Sequence, residues 1–157
     1  MFVYQLYVFG KSVKNALQYP RKIYLIDTGI RRAITTRYSQ SFGNLFENAV
    51  FLYLLRNIDI QERLAYWRSP RGYEVDFLVE KLGHVTKLIQ VAYEIDEITK
   101  QREEHALLAA MKELGVSRGI IITWDFEGET HGGKIIYIPL WKLLIKEPEI
   151  ATKHAFL

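Results

Sequence analysis

The chain has 157 residues, 49% of them hydrophobic and 13% aromatic, with a formal net charge of +3. That composition suits one folded domain rather than a disordered chain, and the positive excess is compatible with nucleic acid but too small to demonstrate it. The lack of cysteine excludes disulfide frameworks, thiolate zinc sites and cysteine nucleophiles, and no apolar run approaches the roughly 20 residues of a membrane span, so the expectation is a soluble, cytoplasmic protein with no membrane partner.

In chain order, residues 1–19 mix aromatic and aliphatic side chains without a clear period and read as a connection or an edge. After Pro20, a short apolar run from Ile23 to Ile26 ends in Asp27-Thr28-Gly29, which is turn or N-cap chemistry ahead of a helical stretch; Lys22, Arg31, Arg32 and Arg37 make this region basic. Residues 41–57 form a helix that is apolar on nearly every side, with Ser41 or Asn44 as its cap and Glu47 in its first half. A carboxylate there either complements the helix dipole or has a partner.

Three strands follow, at 63–68, 73–80 and 87–95, as a meander. Thr99 opens a helix whose apolar stripe (Ala106, Leu107, Ala110, Met111, Leu114) stops at Gly115. Residues 118–124 read as a buried strand paired in parallel after a crossover helix, 128–133 as a polar turn, 134–139 as a strand and 140–145 as a short amphipathic helix. Residues beyond Pro148 read as a loosely held tail.

The stretch from Arg68 to Glu94 organises the chain. Val75, Phe77 and Val79 alternate with Glu74, Asp76 and Glu80, and Ile89, Val91 and Tyr93 alternate with Gln90, Ala92 and Glu94. An antiparallel hairpin can set Asp76 beside the Gln90, Ala92, Glu94 face, either as a site or simply as the wet face of a half-solvated hairpin. Arg68, Arg71, Lys81 and Lys87, with Tyr66, Trp67 and Tyr73 among them, suit a cationic surface with aromatic platforms, or an ordinary hairpin whose aromatics cross-pair. His84, His105, His131 and His154 show no metal-ligand spacing and read as surface residues; no Ser-His-Asp arrangement or dinucleotide fingerprint is present.

The αβββαβ order, the helix glutamate and the strand aspartate together resemble the PD-(D/E)xK nuclease fold. More narrowly, the runs KIYLIDTGIRRA, LFENAVFLYLLR, YWRSPRGYEVDFLVE, LIQVAYEI and TKQREEHALLAAMKELG, then IIIT and IPLW, look like the C-terminal domain of uncharacterised archaeal and bacterial AAA-type ATPases, from Lys22 to Trp141. The resemblance implies an α/β fold with a central mixed sheet flanked by helices: 1–21 a connecting segment left from a winged-helix or ATPase region, 22–147 a restriction-endonuclease-like domain, 148–157 a tail.

In active members of that superfamily such carboxylates hold a divalent cation, Mg²⁺ or Mn²⁺, and a lysine orients the nucleophile. Matched residue by residue, the metal set is Glu47, Asp76 and Gln90, and the lysine position is Ala92. Gln90 is a weaker ligand than a carboxylate and Ala92 has no functional group, so half of the site is blunted. Glu94 is available as a displaced carboxylate and Arg102 as a displaced positive charge, although arginine cannot act as a base.

Arg68, Arg71, Arg102 and Lys87 are the expected phosphate contacts. No G-x-x-x-x-G-K-[ST] loop occurs, so no ATPase activity is expected of this chain, which reads as a fragment or as a stand-alone terminal domain. The functional expectation is a DNA-binding domain of an AAA-type ATPase system, with a degenerate or weak metal-dependent nuclease site. The alternative is a non-catalytic module that docks on its ATPase or forms a homodimer.

Overall fold

The computed structural model describes residues 3–10, 19–27 and 42–145. The helical stretch expected after Thr28, with Arg31, Arg32 and Arg37, the tail 148–157 and His154 lie outside the described residues. The elements are β1 (Val3–Leu6), β2 (Lys22–Leu25), α1 (Phe42–Asn57), β3 (Glu62–Arg68), β4 (Glu74–Lys81), β5 (His84–Ala92), α2 (Glu97–Leu114), β6 (Gly119–Thr123), β7 (Gly128–Thr130), β8 (Ile135–Pro139) and α3 (Leu140–Ile145).

Six strands form one mixed sheet in the order β3-β4-β5-β6-β8-β7. β3, β4 and β5 make the antiparallel meander, β6 joins β5 in parallel after α2, and β8 joins β6 in parallel. Two cores cover the two faces. On one, Phe46, Val50, Phe51 and Leu54 of α1 pack on Phe77, Val79, Ile89, Ile120 and Ile122; on the other, Leu107, Ala110 and Met111 of α2 pack on Leu78, Leu88, Ala92, Ile121 and Tyr137. β6 is buried at every residue because it lies inside a parallel array covered on both sides, which is why its sequence is a continuous isoleucine run.

Four details differ from the sequence reading. Residues 3–6 are a strand, β1, antiparallel to β2, and residues 7–9 then run along β3, where Phe9 N–H donates to the Tyr66 carbonyl at 2.8 Å. The α2 helix begins at Glu97, two residues before Thr99, because the Asp96 carboxylate accepts the Thr99 N–H at 2.6 Å and caps it. β5 starts at His84: Leu82 (φ 52°) and Gly83 (φ 85°) make a two-residue turn between paired Lys81 and His84, and a leucine in the first left-handed position hides that signal in the sequence. The turn expected at 128–133 begins instead with an edge strand, β7, paired to β8.

Candidate functional site

β4 carries a bulge where the site is built. Along β3 the step from Ala65 to Trp67 is matched on β4 by the longer step from Leu78 to Val75. Val75 therefore joins the α2-side core while Phe77 joins the α1-side core, although strict alternation would put them on one face. The bulge turns Asp76 toward β2 and α1.

There the Asp76 carboxylate divides its work. Its Oδ1 accepts from Lys22 Nζ at 2.6 Å, and its Oδ2 accepts the main-chain N–H of Val91 on β5 at 2.9 Å. Lys22 also meets Glu74 Oε1 at 3.0 Å and Glu47 Oε1 at 3.3 Å. The Tyr24 hydroxyl, two residues along β2 and so on the same face, donates to Glu47 Oε1 at 2.6 Å. Glu47 thus has partners on β2, which accounts for a carboxylate on a largely apolar helix. These residues, with Asn44 and Asn48, line an open cavity of about 630 Å³.

Asn48 clips β2 to α1 by reading its backbone like a neighbouring strand. Its Oδ1 accepts the Leu25 N–H at 2.8 Å and its Nδ2 donates to the Leu25 carbonyl at 2.9 Å. Lys22 and Tyr24 are held in place by this clip and by the pairing with β1.

The electrostatics follow from burial and crowding. Burial pushes the Asp76 carboxyl up to about 6, with Glu47 adding to the rise, despite Lys22 and the Val91 N–H. Burial alone would lower the Lys22 ammonium, but Asp76, Glu47 and Glu74 together outweigh it and hold the charged form above the ordinary lysine range. Burial, and then Glu47, raise the Tyr24 hydroxyl, which stays a neutral donor.

Gln90 stands next to Asp76 yet faces α2. Its Oε1 accepts the Asp76 main-chain N–H at 3.1 Å, and its Nε2 donates to the buried Glu103 of α2. Gln90 and Ala92 are each only 5% exposed, so the face expected to be wet is covered by α2. Glu94 is exposed in a bend past the end of β5. Arg102, its side chain 70% exposed, pairs with Glu103 at 2.5 Å. Arg68 ends β3 opposite Glu74, Arg71 is exposed in the following turn, and Lys87 stands opposite Val79 further along the hairpin. Tyr66 and Trp67, expected as platforms among these cations, are core residues, at 1% and 2% exposure.

Glu47 and Asp76 therefore converge, joined by Glu74, which the alternation put on the face of Asp76, and by Lys22 and Tyr24, which it did not place there. The sequence did hold one sign of them: Lys22 and Tyr24 alternate across the apolar Ile23 in a short run. Carboxylates are suitable donors for a hard divalent cation. The arrangement nevertheless does not fit one, since an ammonium sits at the point where the three carboxylates meet and the Gln90 oxygen is taken by an N–H. Among the described residues no group of three or more His, Asp or Glu side chains is disposed to hold a metal ion.

A second polar cluster lies under α2, where Glu104 accepts from Thr130 at 2.8 Å and from Tyr137 at 2.5 Å and pairs with His131 at 2.9 Å. No helix among the described residues is long and apolar enough to cross a membrane.

The chain is 33% identical over 129 residues to an uncharacterized protein of Methanocaldococcus jannaschii, an alignment covering 77% of this chain and 28% of that one. It is 28% identical over 135 residues to an uncharacterized protein of Haemophilus influenzae, covering 83% of this chain and 30% of the relative. It thus spans less than a third of either relative. No solved structure gives a significant match. The model of a domain of unknown function, DUF4143, matches residues 42–143, from the first residue of α1 to the middle of α3, and the chain belongs to that family.

Proposed function

We propose that this domain is a PD-(D/E)xK-like module of an AAA-type ATPase system that binds nucleic acid, and that its metal-dependent cleavage site is degenerate. One observation carries the reading: Gln90, at the position matched to a metal-binding acid, is bonded at both ends of its carboxamide, to the Asp76 N–H and to Glu103. The αβββαβ order, the bulge that aims Asp76 and the glutamate on α1 support the nuclease-like ancestry. The relatives' greater length leaves room for an ATPase module beside this domain.

On this reading Arg68, Arg71, Lys87 and Arg102 meet phosphates, and each one removed lowers the salt slope of binding by about 1. Single-stranded, duplex and branched DNA are offered with Mg²⁺ or Mn²⁺ to the wild type and to Asp76→Ala. The expected result is equal inactivity, with salt-sensitive binding of labelled duplex retained. Metal-dependent cutting that disappears in the variant overturns the degenerate site, and the absence of salt-sensitive affinity for duplex DNA at low ionic strength overturns the nucleic-acid role.

A specific feature favours the docking alternative as second reading. Phe42 and Trp124, 68% and 56% exposed, flank Tyr93 with ring centroids 6.1 and 5.4 Å from it, an apolar surface that suits a protein partner.

A further inference from the structure

Three carboxylates share one cation. The Lys22 ammonium lies 2.6 Å from Asp76, 3.0 Å from Glu74 and 3.3 Å from Glu47, and each of these acids comes from β4 or α1 while the lysine comes from β2. It is no wandering surface lysine. Its side chain is 19% exposed, its strand is clipped to α1 by Asn48, and its ammonium stands 5.9 Å from the centroid of the Tyr66 ring. Every partner named here carries negative charge or a π face, so within the cavity it lines with Glu47, Glu74 and Asp76 the lysine neutralises that acidic cluster. We propose that Lys22 is a tethered counter-cation that occupies the meeting point of Glu47, Glu74 and Asp76 and shuts divalent cations out of it.

This rests on the reading of the site as a degenerate nuclease-like centre and adds a cause: besides lacking ligands on β5, the centre carries its own cation. Exclusion is electrostatic as well as steric, because a divalent ion entering beside Lys22 meets a full positive charge at van der Waals range. Removing that charge while keeping the apolar stem unmasks the carboxylates.

The test is Mn²⁺ binding followed by electron paramagnetic resonance, with no nucleic acid present, on wild type, Lys22→Met, Asp76→Asn and the Lys22→Met/Asp76→Asn pair. Wild type is expected to show no saturable site at millimolar Mn²⁺. Lys22→Met is expected to gain one, about a hundredfold tighter than any residual non-saturable binding by wild type, the order expected for one unit charge removed at close range; Asp76→Asn in that background abolishes it.

A saturable wild-type site that Asp76→Asn removes overturns the proposal, and so does a cooperatively folded Lys22→Met protein that binds no better than wild type. Lys22→Gln replaces Lys22→Met if the latter fails to fold, and a saturable wild-type site lost in Asp76→Asn overturns the proposal whichever of the two is used. With DNA absent, a failure of nucleic-acid binding leaves this result untouched, whereas metal-dependent cutting would appear together with wild-type Mn²⁺ binding.

Discussion

The carboxamide of Gln90 accepts the main-chain N–H of Asp76 at 3.1 Å, across the β4 bulge. A bulge leaves an unpaired amide in the ladder, and here a side chain satisfies it while the Asp76 carboxylate returns the favour to the Val91 N–H. The carboxamide's other end ties this exchange to Glu103 on α2. Gln90 therefore secures the bulge that aims Asp76.

Restoring an acid at this position should harm the fold. Gln90→Glu loses the N–H donor to Glu103 and sets two buried carboxyl groups against each other, so it is expected to cost about 2–4 kcal/mol in urea unfolding. Adding Glu103→Gln should recover most of that loss by restoring an amide–carboxylate pair. A Gln90→Glu protein as stable as wild type would show that the bond to Glu103 contributes little.

Asp76 sets a pH dependence. Its folded pKa, up to about 6 chiefly through burial, lies above the ordinary value of 3.8, so between these values the folded state binds more protons than the unfolded one. Stability from this group is then greatest below about pH 4 and falls as pH rises through 6, by about 1–3 kcal/mol. Urea midpoints from pH 4 to 7 should show wild type losing ground to Asp76→Asn as pH increases; parallel profiles would contradict the burial argument.

The Asn48 clip is testable through one amide. Asn48→Ala removes both bonds to the Leu25 backbone, with an expected cost of about 1–3 kcal/mol. Hydrogen exchange at the Leu25 N–H should quicken about tenfold or more while exchange in β6 changes only with global stability. Unchanged protection at Leu25 would mean that β1 alone holds β2.

Gly119 opens β6 beneath α2. A Cβ built there would lie 2.6 Å from Leu107 Cγ and Cδ2, and Leu107 is fully buried and cannot swing away. Gly119→Ala should therefore cost about 1–3 kcal/mol by overpacking. Thermal melting checks it, and an unchanged midpoint would show that α2 lifts without cost.

Much of the architecture is legible in the chain because its signals are local. The isoleucine run of β6 records burial on both faces, the stripe from Ala106 to Met111 with Gly115 after it records α2, and the alternation around Asp76 and Gln90 was enough to make them neighbours. What the alternation could not show is its own interruption. Val75 and Phe77 look like one face, and only the register against β3 splits them between the two cores.

The site's composition was decided by contacts across long stretches of chain. Lys22 reaches Asp76 over 54 positions and Glu47 over 25, through a two-stranded ribbon whose members are only four residues each. Such short strands carry little periodic signal, and which carboxylate a lysine meets depends on where the ribbon docks. The burial of Gln90 and Ala92 was likewise set by α2 crossing their face. The sequence by itself determined the two long helices, the meander and β6, and that Asp76 and Gln90 adjoin; the tertiary structure decided that β1 and β7 pair as strands, which way each side chain faces and which cation stands among the acids, because edge pairing, bulges and docking are properties of paired strands and packed layers, not of one segment read alone.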